Sequence, residues 1–110
     1  MKESVRVGVA LAFLFGAHLA PAQQGDAKAG KAVYDKHCAT CHGTDGTAKE
    51  PIARMLKVEI RHLGSKEVQA RSDEDIRKII VEGNGKMRPQ QGLDEKSIGN
   101  VIAHVRTLAQ

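Results

Sequence analysis

Apolar residues recur at helical spacing in three segments of the chain, and each segment is flanked by residues that begin or end helices. The first segment follows Asp26, whose carboxylate can accept backbone N–H groups at a helix N-terminus, and it runs to about His37. Its apolar side chains fall on one side: Ala29, Ala32 and Val33. The pattern predicts an amphipathic helix that delivers residue 38 at its end.

Two further helices are predicted in the second half of the chain. Ser72 and Asp75 form a capping box before a helix that stops at Gly83, and Asp94 caps the last helix. Their apolar stripes are Ile76, Ile79 and Ile80 in one and Ile98, Val101, Ile102, Val105 and Leu108 in the other. Because no segment alternates as a half-buried strand does, the sequence predicts an all-α fold with three principal helices.

Shorter features lie between these helices. Pro51 can begin a short helix that carries Ile52, Met55 and Leu56, and Met55 on this stripe is interpreted as a core-filling side chain. Periodicity is weak from residue 57 to residue 71. Gly, Asn and Pro residues then break the chain into a loop that exposes Met87 among polar neighbours.

The N-terminus has the pattern of a secretory signal peptide. Lys2 and Arg6 precede an apolar run from Val7 to Ala20, and a small-x-small site predicts cleavage after Ala22. The run has 14 positions, whereas about 20 apolar residues are needed to cross a bilayer. Residues 1–22 are therefore expected to be a cleaved leader and residues 23–110 the folded domain, with an uncleaved anchor as the alternative.

Composition limits what this domain can be. Only 88 of the 110 residues follow the leader, and Tyr34 is the one aromatic residue among them. Domains of this size bury only about 60% of their unfolded surface and often depend on a staple, a metal or a cofactor. Beyond residue 22 the chain carries 15 Lys and Arg against 12 Asp and Glu, with no basic run and no interleaved aromatic residues. This composition argues against a nucleic-acid-binding protein.

The strongest chemical signal is the Cys-x-x-Cys-His motif formed by residues 38–42. Cysteine thiols can add to the two vinyl groups of a haem, and the two-residue spacer matches the separation of those groups. The adjacent histidine can reach the iron. The motif predicts one covalently attached haem c, with Cys38 and Cys41 as attachment sites and His42 as an axial iron ligand.

Three other interpretations of these residues stay open. A thioredoxin-like redox pair follows a strand, whereas a helical segment precedes this pair. A structural zinc site needs four ligands, and no fourth Cys or His stands at finger spacing. A simple disulfide is the third interpretation. The predicted export and the trailing histidine favour haem.

Over nearly all of residues 23–110 the chain resembles class I c-type cytochromes of the small monohaem bacterial kind. Gly30 and Tyr34 stand eight and four residues before Cys38, and Pro51, the capped middle helix, the Met-containing loop and the C-terminal helix follow in the family's order. The resemblance implies the cytochrome c fold, with three principal helices, a short helix and loops around one covalently bound haem. It also implies that the first and last helices cross closely at Gly30.

The resemblance further implies that Met87 is the second axial ligand of the iron. The family's usual form is Met followed directly by Pro, whereas this chain has Met87-Arg88-Pro89. Pro51 is expected to offer its carbonyl to Nδ1 of His42. Competing ligands are His62, Lys86 and Met55, whereas His104 is expected to pack against the first helix. The available candidates for donors to the haem propionates are Arg54, Arg61, His62 and Arg71, and the sequence does not choose among them.

A haem iron with both axial positions filled changes reversibly by one electron and has no position for a substrate. The sequence therefore predicts a monomeric electron carrier of the periplasm, not an enzyme. It would serve redox protein donors and acceptors of a respiratory chain, such as a membrane-bound oxidase or dehydrogenase, without inserting into the membrane itself. The alternatives are an electron-accepting haem c subunit of one oxidoreductase complex and an open-site gas-binding haem protein.

Overall fold

The computed structural model of the protein describes residues 4, 8–10, 12 and 25–110. The predicted cleavage after Ala22 and most of the predicted leader lie outside the described residues, so both stay predictions. Within the described residues the helices are α1 (Ala27–His37), α2 (Ala39–His42), α3 (Glu50–Leu56), α4 (Lys66–Gln69), α5 (Asp73–Glu82) and α6 (Glu95–Thr107). The described part contains one isolated β-bridge, between Asn84 and Met87, and no strand. The prediction of an all-α fold is confirmed.

The predicted caps are formed. The side chains of Asp26, Ser72 and Asp94 each accept a backbone N–H from the first turn of α1, α5 and α6, respectively. Caps of this kind stabilise a helix by about 1 kcal/mol each. The three principal helices therefore begin where the local sequence places their caps.

α1 and α6 cross in close backbone contact. A Cβ atom built on Gly30 would lie 1.8 Å from the backbone oxygen of Asn100, and one built on Gly25 would lie 2.1 Å from that of Gly99. The side-chain oxygen of Asn100 accepts the backbone N–H of Asp26 at 2.8 Å. Close crossing at Gly30 is thus confirmed, and Gly25 is a second contact that the sequence pattern did not reveal.

Tyr34 and Val101 are the most deeply buried side chains at this crossing, with 0% and 1% of their surfaces exposed. The Tyr34 hydroxyl donates to the Gly43 carbonyl at 2.6 Å, and the Tyr34 ring lies 4.8 Å from the ring of His104. His104 is buried, as expected for a packing residue, and burial lowers its pKa. The rest of the core is formed by Ala39, Ile76, Ile80, Ile98, Ile102 and Val105.

Polar anchors hold the aperiodic segment 57–71 against α6. A Cβ atom on Gly64 would lie 1.9 Å from the backbone oxygen of Leu108. The side-chain amide of Gln69 donates to the carbonyls of Leu63 and Val105 at 2.8 and 3.0 Å. Contacts of this kind produce no periodic pattern of apolar residues in the sequence. The path of this segment and its short helix α4 were therefore not predicted. None of the helices in the described part of the chain has the length and apolar character needed to cross a bilayer.

Candidate haem site

A crevice of about 700 Å³ opens between the principal helices and the segment 52–71. This volume is in the range of cofactor sites. Cys38, Cys41, His42 and Met87, the four residues predicted to hold a haem, all line it. Its apolar walls are formed by Ile52, Leu56, Val58, Ile60, Leu63, Val68, Ile76, Ile79, Ile80, Val101 and Val105.

The motif residues are presented on one helical turn. Cys38 ends α1 and also precedes α2, and the backbone N–H of His42 donates to the Cys38 carbonyl at 3.0 Å. Residues spaced by three and four positions share one face of such a turn, so Cys38, Cys41 and His42 point to the same side. The two cysteines are half-buried and are not bonded to each other. This arrangement fits attachment of both thiols to one group in the crevice.

The surroundings of Cys38 do not suit a redox dithiol. Burial and the neighbouring Cys41 raise the pKa of Cys38 to about 11. A thiol that exchanges disulfides has a lowered pKa instead, because the thiolate is the attacking form. A structural zinc site is not supported either. Among the described residues, no three or more His, Cys, Asp or Glu side chains lie together in a way that could hold a metal ion.

Burial lowers the pKa of His42, which favours its neutral form. A neutral imidazole nitrogen is the form that binds a metal. Its Nδ1 atom is buried without a hydrogen-bond partner, so the expected bond from Nδ1 to the Pro51 carbonyl is wrong. Pro51 lies in the first turn of α3, where a carbonyl points along the helix axis toward the next turn.

Met87 lies in a tight loop fastened to the end of α5. Its backbone N–H and carbonyl both bond to Asn84 at 2.9 Å, and Gln90 N–H donates to the Ile80 carbonyl at 2.8 Å. Gly83 has a φ of +79°, and a Cβ there would lie 2.6 Å from the Met87 oxygen and 2.9 Å from Pro89. The extra residue between Met87 and Pro89 is thus accommodated by close packing of Pro89 on Gly83.

The other candidates for the second axial ligand lie in surroundings unlike those of Met87. Met55 borders the crevice with 69% of its surface exposed, so its interpretation as a core side chain is wrong. His62 borders a separate surface cavity, and its Nδ1 accepts the backbone N–H of Gly64 at 2.8 Å. Lys86 lines the crevice beside Met87.

A helical domain whose first and last helices cross above a crevice walled by a Cys-x-x-Cys-His turn has the architecture of a c-type cytochrome. The chain belongs to the c-type cytochrome family described as cytochrome C oxidase, cbb3-type, subunit III, whose family model matches residues 25–105. The protein is therefore a small monohaem c-type cytochrome with one covalently attached haem c.

Individual relatives agree with this assignment. Cytochrome c-554(547) of Halothiobacillus neapolitanus is 31% identical over 90 residues, which cover 76% of this chain and 98% of the relative. The solved structure of the KustC0563 c-type cytochrome is 32% identical, with a TM-score of 0.64 over 74% of this chain and 98% of that one. A chain of the Kuenenia stuttgartiensis reducing HAO-like protein complex Kustc0457/Kustc0458 is 26% identical, with a TM-score of 0.63 over 78% of this chain and 44% of that one.

Proposed function

We propose that the protein is an exported one-electron carrier in which Cys38 and Cys41 form the thioethers to the haem and His42 and Met87 are the axial iron ligands. The observation that carries the proposal is their common crevice. Three of these side chains share one helical turn, and the fourth lies in a loop fastened to α5. The other methionine that borders this crevice, Met55, is largely exposed.

The haem supplies a reversible one-electron change between ferrous and ferric iron. The chain's own residues hold it and set its surroundings. His42 presents a neutral nitrogen, Met87 a soft thioether that favours ferrous iron, and the apolar walls exclude water. With His42 and Met87 holding the iron, no position would be left for a substrate, and the protein would transfer electrons between partners in the periplasm.

Haem attachment is tested with cysteine variants expressed alongside haem-maturation enzymes. We expect the parent to keep its haem through denaturing electrophoresis, and Cys38→Ala or Cys41→Ala to keep a single thioether, which shifts the reduced α band. The double variant should lose covalent haem. Thr40→Ala is the matched control, because Thr40 lies between the cysteines and has no role in attachment. Exported protein with two free thiols and no Soret band would contradict the proposal.

A second candidate function is that of a haem subunit in a larger oxidoreductase. The observation in its favour is the fold match to part of a longer chain in a solved protein complex. Native mass spectrometry of the holoprotein isolated at low salt separates the two candidates. A single-chain mass is expected for the carrier, whereas a fixed stoichiometric complex with a larger redox protein would establish the subunit.

A further inference from the structure

Among the described residues, Arg106 of α6 donates the largest number of side-chain hydrogen bonds. Its guanidinium donates to the backbone carbonyls of Gln69 at 2.9 Å and Arg71 at 2.6 Å, and to the Asp73 carboxylate at 2.7 and 3.1 Å. It is mostly buried, with 30% of the side chain exposed. The planar guanidinium of Arg106 donates to three acceptors at once. It therefore fixes the backbone of residues 69–73 more rigidly than the ammonium group of a lysine would.

That segment carries Arg71, which lines the crevice. Arg71 makes no ion pair with any described carboxylate, although its backbone is fixed by Arg106. The other candidate donors to the haem propionates already have a partner or border another cavity. Arg61 pairs with Glu67, Arg54 pairs with Glu50 beside a separate cavity, and His62 borders that same cavity.

We propose that Arg71 binds a carboxylate of the haem through its guanidinium, and that Arg106 is the positioning residue that holds Arg71 at the crevice wall. The proposal rests on the proposed haem site. A guanidinium matches a carboxylate with two parallel N–H donors, and the fixed backbone removes part of the entropy that this bond would otherwise cost. The carboxylate would thus be held by an arginine whose backbone is fixed from helix α6.

The reduction potential reports this bond. Arg71 offsets the negative charge of the carboxylate, so its loss favours ferric iron, which carries one more positive charge, and the midpoint potential falls. Without the guanidinium the pKa of the carboxylate rises. The carboxylate of the variant is then protonated at a higher pH than that of the parent. Because protonation removes its negative charge, the midpoint potential of the variant rises more steeply as the pH is lowered. The parent and Arg71→Gln have in common all the other charged or titratable groups that border the crevice: Tyr34, His37, Cys38, Cys41, His42, Glu59, Arg61, Glu67, Lys86 and Arg88.

The test is an optical redox titration of the holoproteins across pH. In Arg71→Gln and Arg106→Lys we expect the ferrous-to-ferric ratio at a fixed ambient potential to fall roughly threefold, about 30 mV at 59 mV per tenfold. Arg106→Lys keeps its charge, so its shift reports lost positioning. In the double variant we expect the shift of Arg71→Gln alone, because Arg106 acts through Arg71.

Two matched controls complete the experiment. Arg88→Gln removes the same charge from the same crevice, and we expect no steeper pH dependence. Arg77→Lys weakens another ion pair between α5 and α6, that of Arg77 with Glu95, and we expect no shift. Equal pH profiles for Arg71→Gln and Arg88→Gln, or additive shifts in the double variant, would overturn the proposal.

These outcomes are separable from failure of the haem site itself. If Met87 and His42 are not the ligands, the spectrum of the parent is already abnormal. If only this proposal fails, every spectrum stays normal and the potentials do not follow the expected pattern. Arg71 is exposed, so Arg71→Gln keeps the fold and decides the carboxylate contact even where Arg106→Lys does not accumulate.

Discussion

Met87→Ala is expected to give a holoprotein that binds carbon monoxide when reduced and lacks the weak sulfur-to-iron charge-transfer band when oxidised. Its midpoint potential should fall by more than about 0.1 V, within the roughly 0.8 V range that axial ligands give to haem proteins. The reason is that the thioether stabilises ferrous iron and also blocks the sixth position. Optical spectra of both oxidation states and a redox titration check all three effects.

Met55→Ala is the matched control, because Met55 borders the same crevice but is largely exposed on the short helix α3. We expect its spectrum to equal that of the parent. Loss of the charge-transfer band in Met55→Ala, with retention in Met87→Ala, would exchange the roles of the two methionines. Carbon monoxide binding by the parent at neutral pH would instead identify an open-site haem protein.

Gly30→Ala is expected to destabilise the holoprotein by about 2–3 kcal/mol, out of a total stability of about 5–15 kcal/mol for a typical domain. The added methyl group would lie 1.8 Å from the backbone oxygen of Asn100, and a backbone atom cannot rotate away. α1 and α6 must therefore separate, which uncovers Tyr34 and Val101. Denaturant unfolding followed by circular dichroism measures the loss.

Gly99→Ala is the control for this effect, since it makes the same substitution in the facing helix. A Cβ atom on Gly99 has no neighbour within 4 Å. Alanine is favoured over glycine in a helix interior by about 1 kcal/mol, so Gly99→Ala is expected to stabilise the protein. Opposite signs for the two variants would demonstrate close packing, whereas stabilisation by both would show that the helices are not in contact at Gly30.

The elements that sequence analysis predicted well are those with local signals. Asp26, Ser72 and Asp94 act within one turn of their own positions, so the starts of α1, α5 and α6 could be predicted without tertiary structure. The close crossing at Gly30 was implied only by family resemblance. Gly25, which makes a second close contact, carries no local signal because its partner lies on α6.

The parts that were missed depend on distant contacts. Gln69 and Arg106 are polar residues whose role appears only when the segment 69–73 meets α6. Met55 belongs to the apolar face of α3, but that face borders the crevice and does not pack against another helix. The bond expected between Pro51 and His42 was implied by the family resemblance, whereas in the structure Pro51 lies in the first turn of α3 and Nδ1 of His42 has no hydrogen-bond partner.

The hydrogen bond from the Asp26 backbone to the Asn100 side chain joins residues 74 positions apart. A growing polypeptide cannot close this contact until its final helix has been made, because contacts between distant positions wait for the whole intervening chain. Before then Tyr34 lacks the helix that buries it, because Val101 and His104 both belong to α6. Docking of α1 on α6 is thus a late step of folding, because it joins helices from opposite ends of the described residues 25–110.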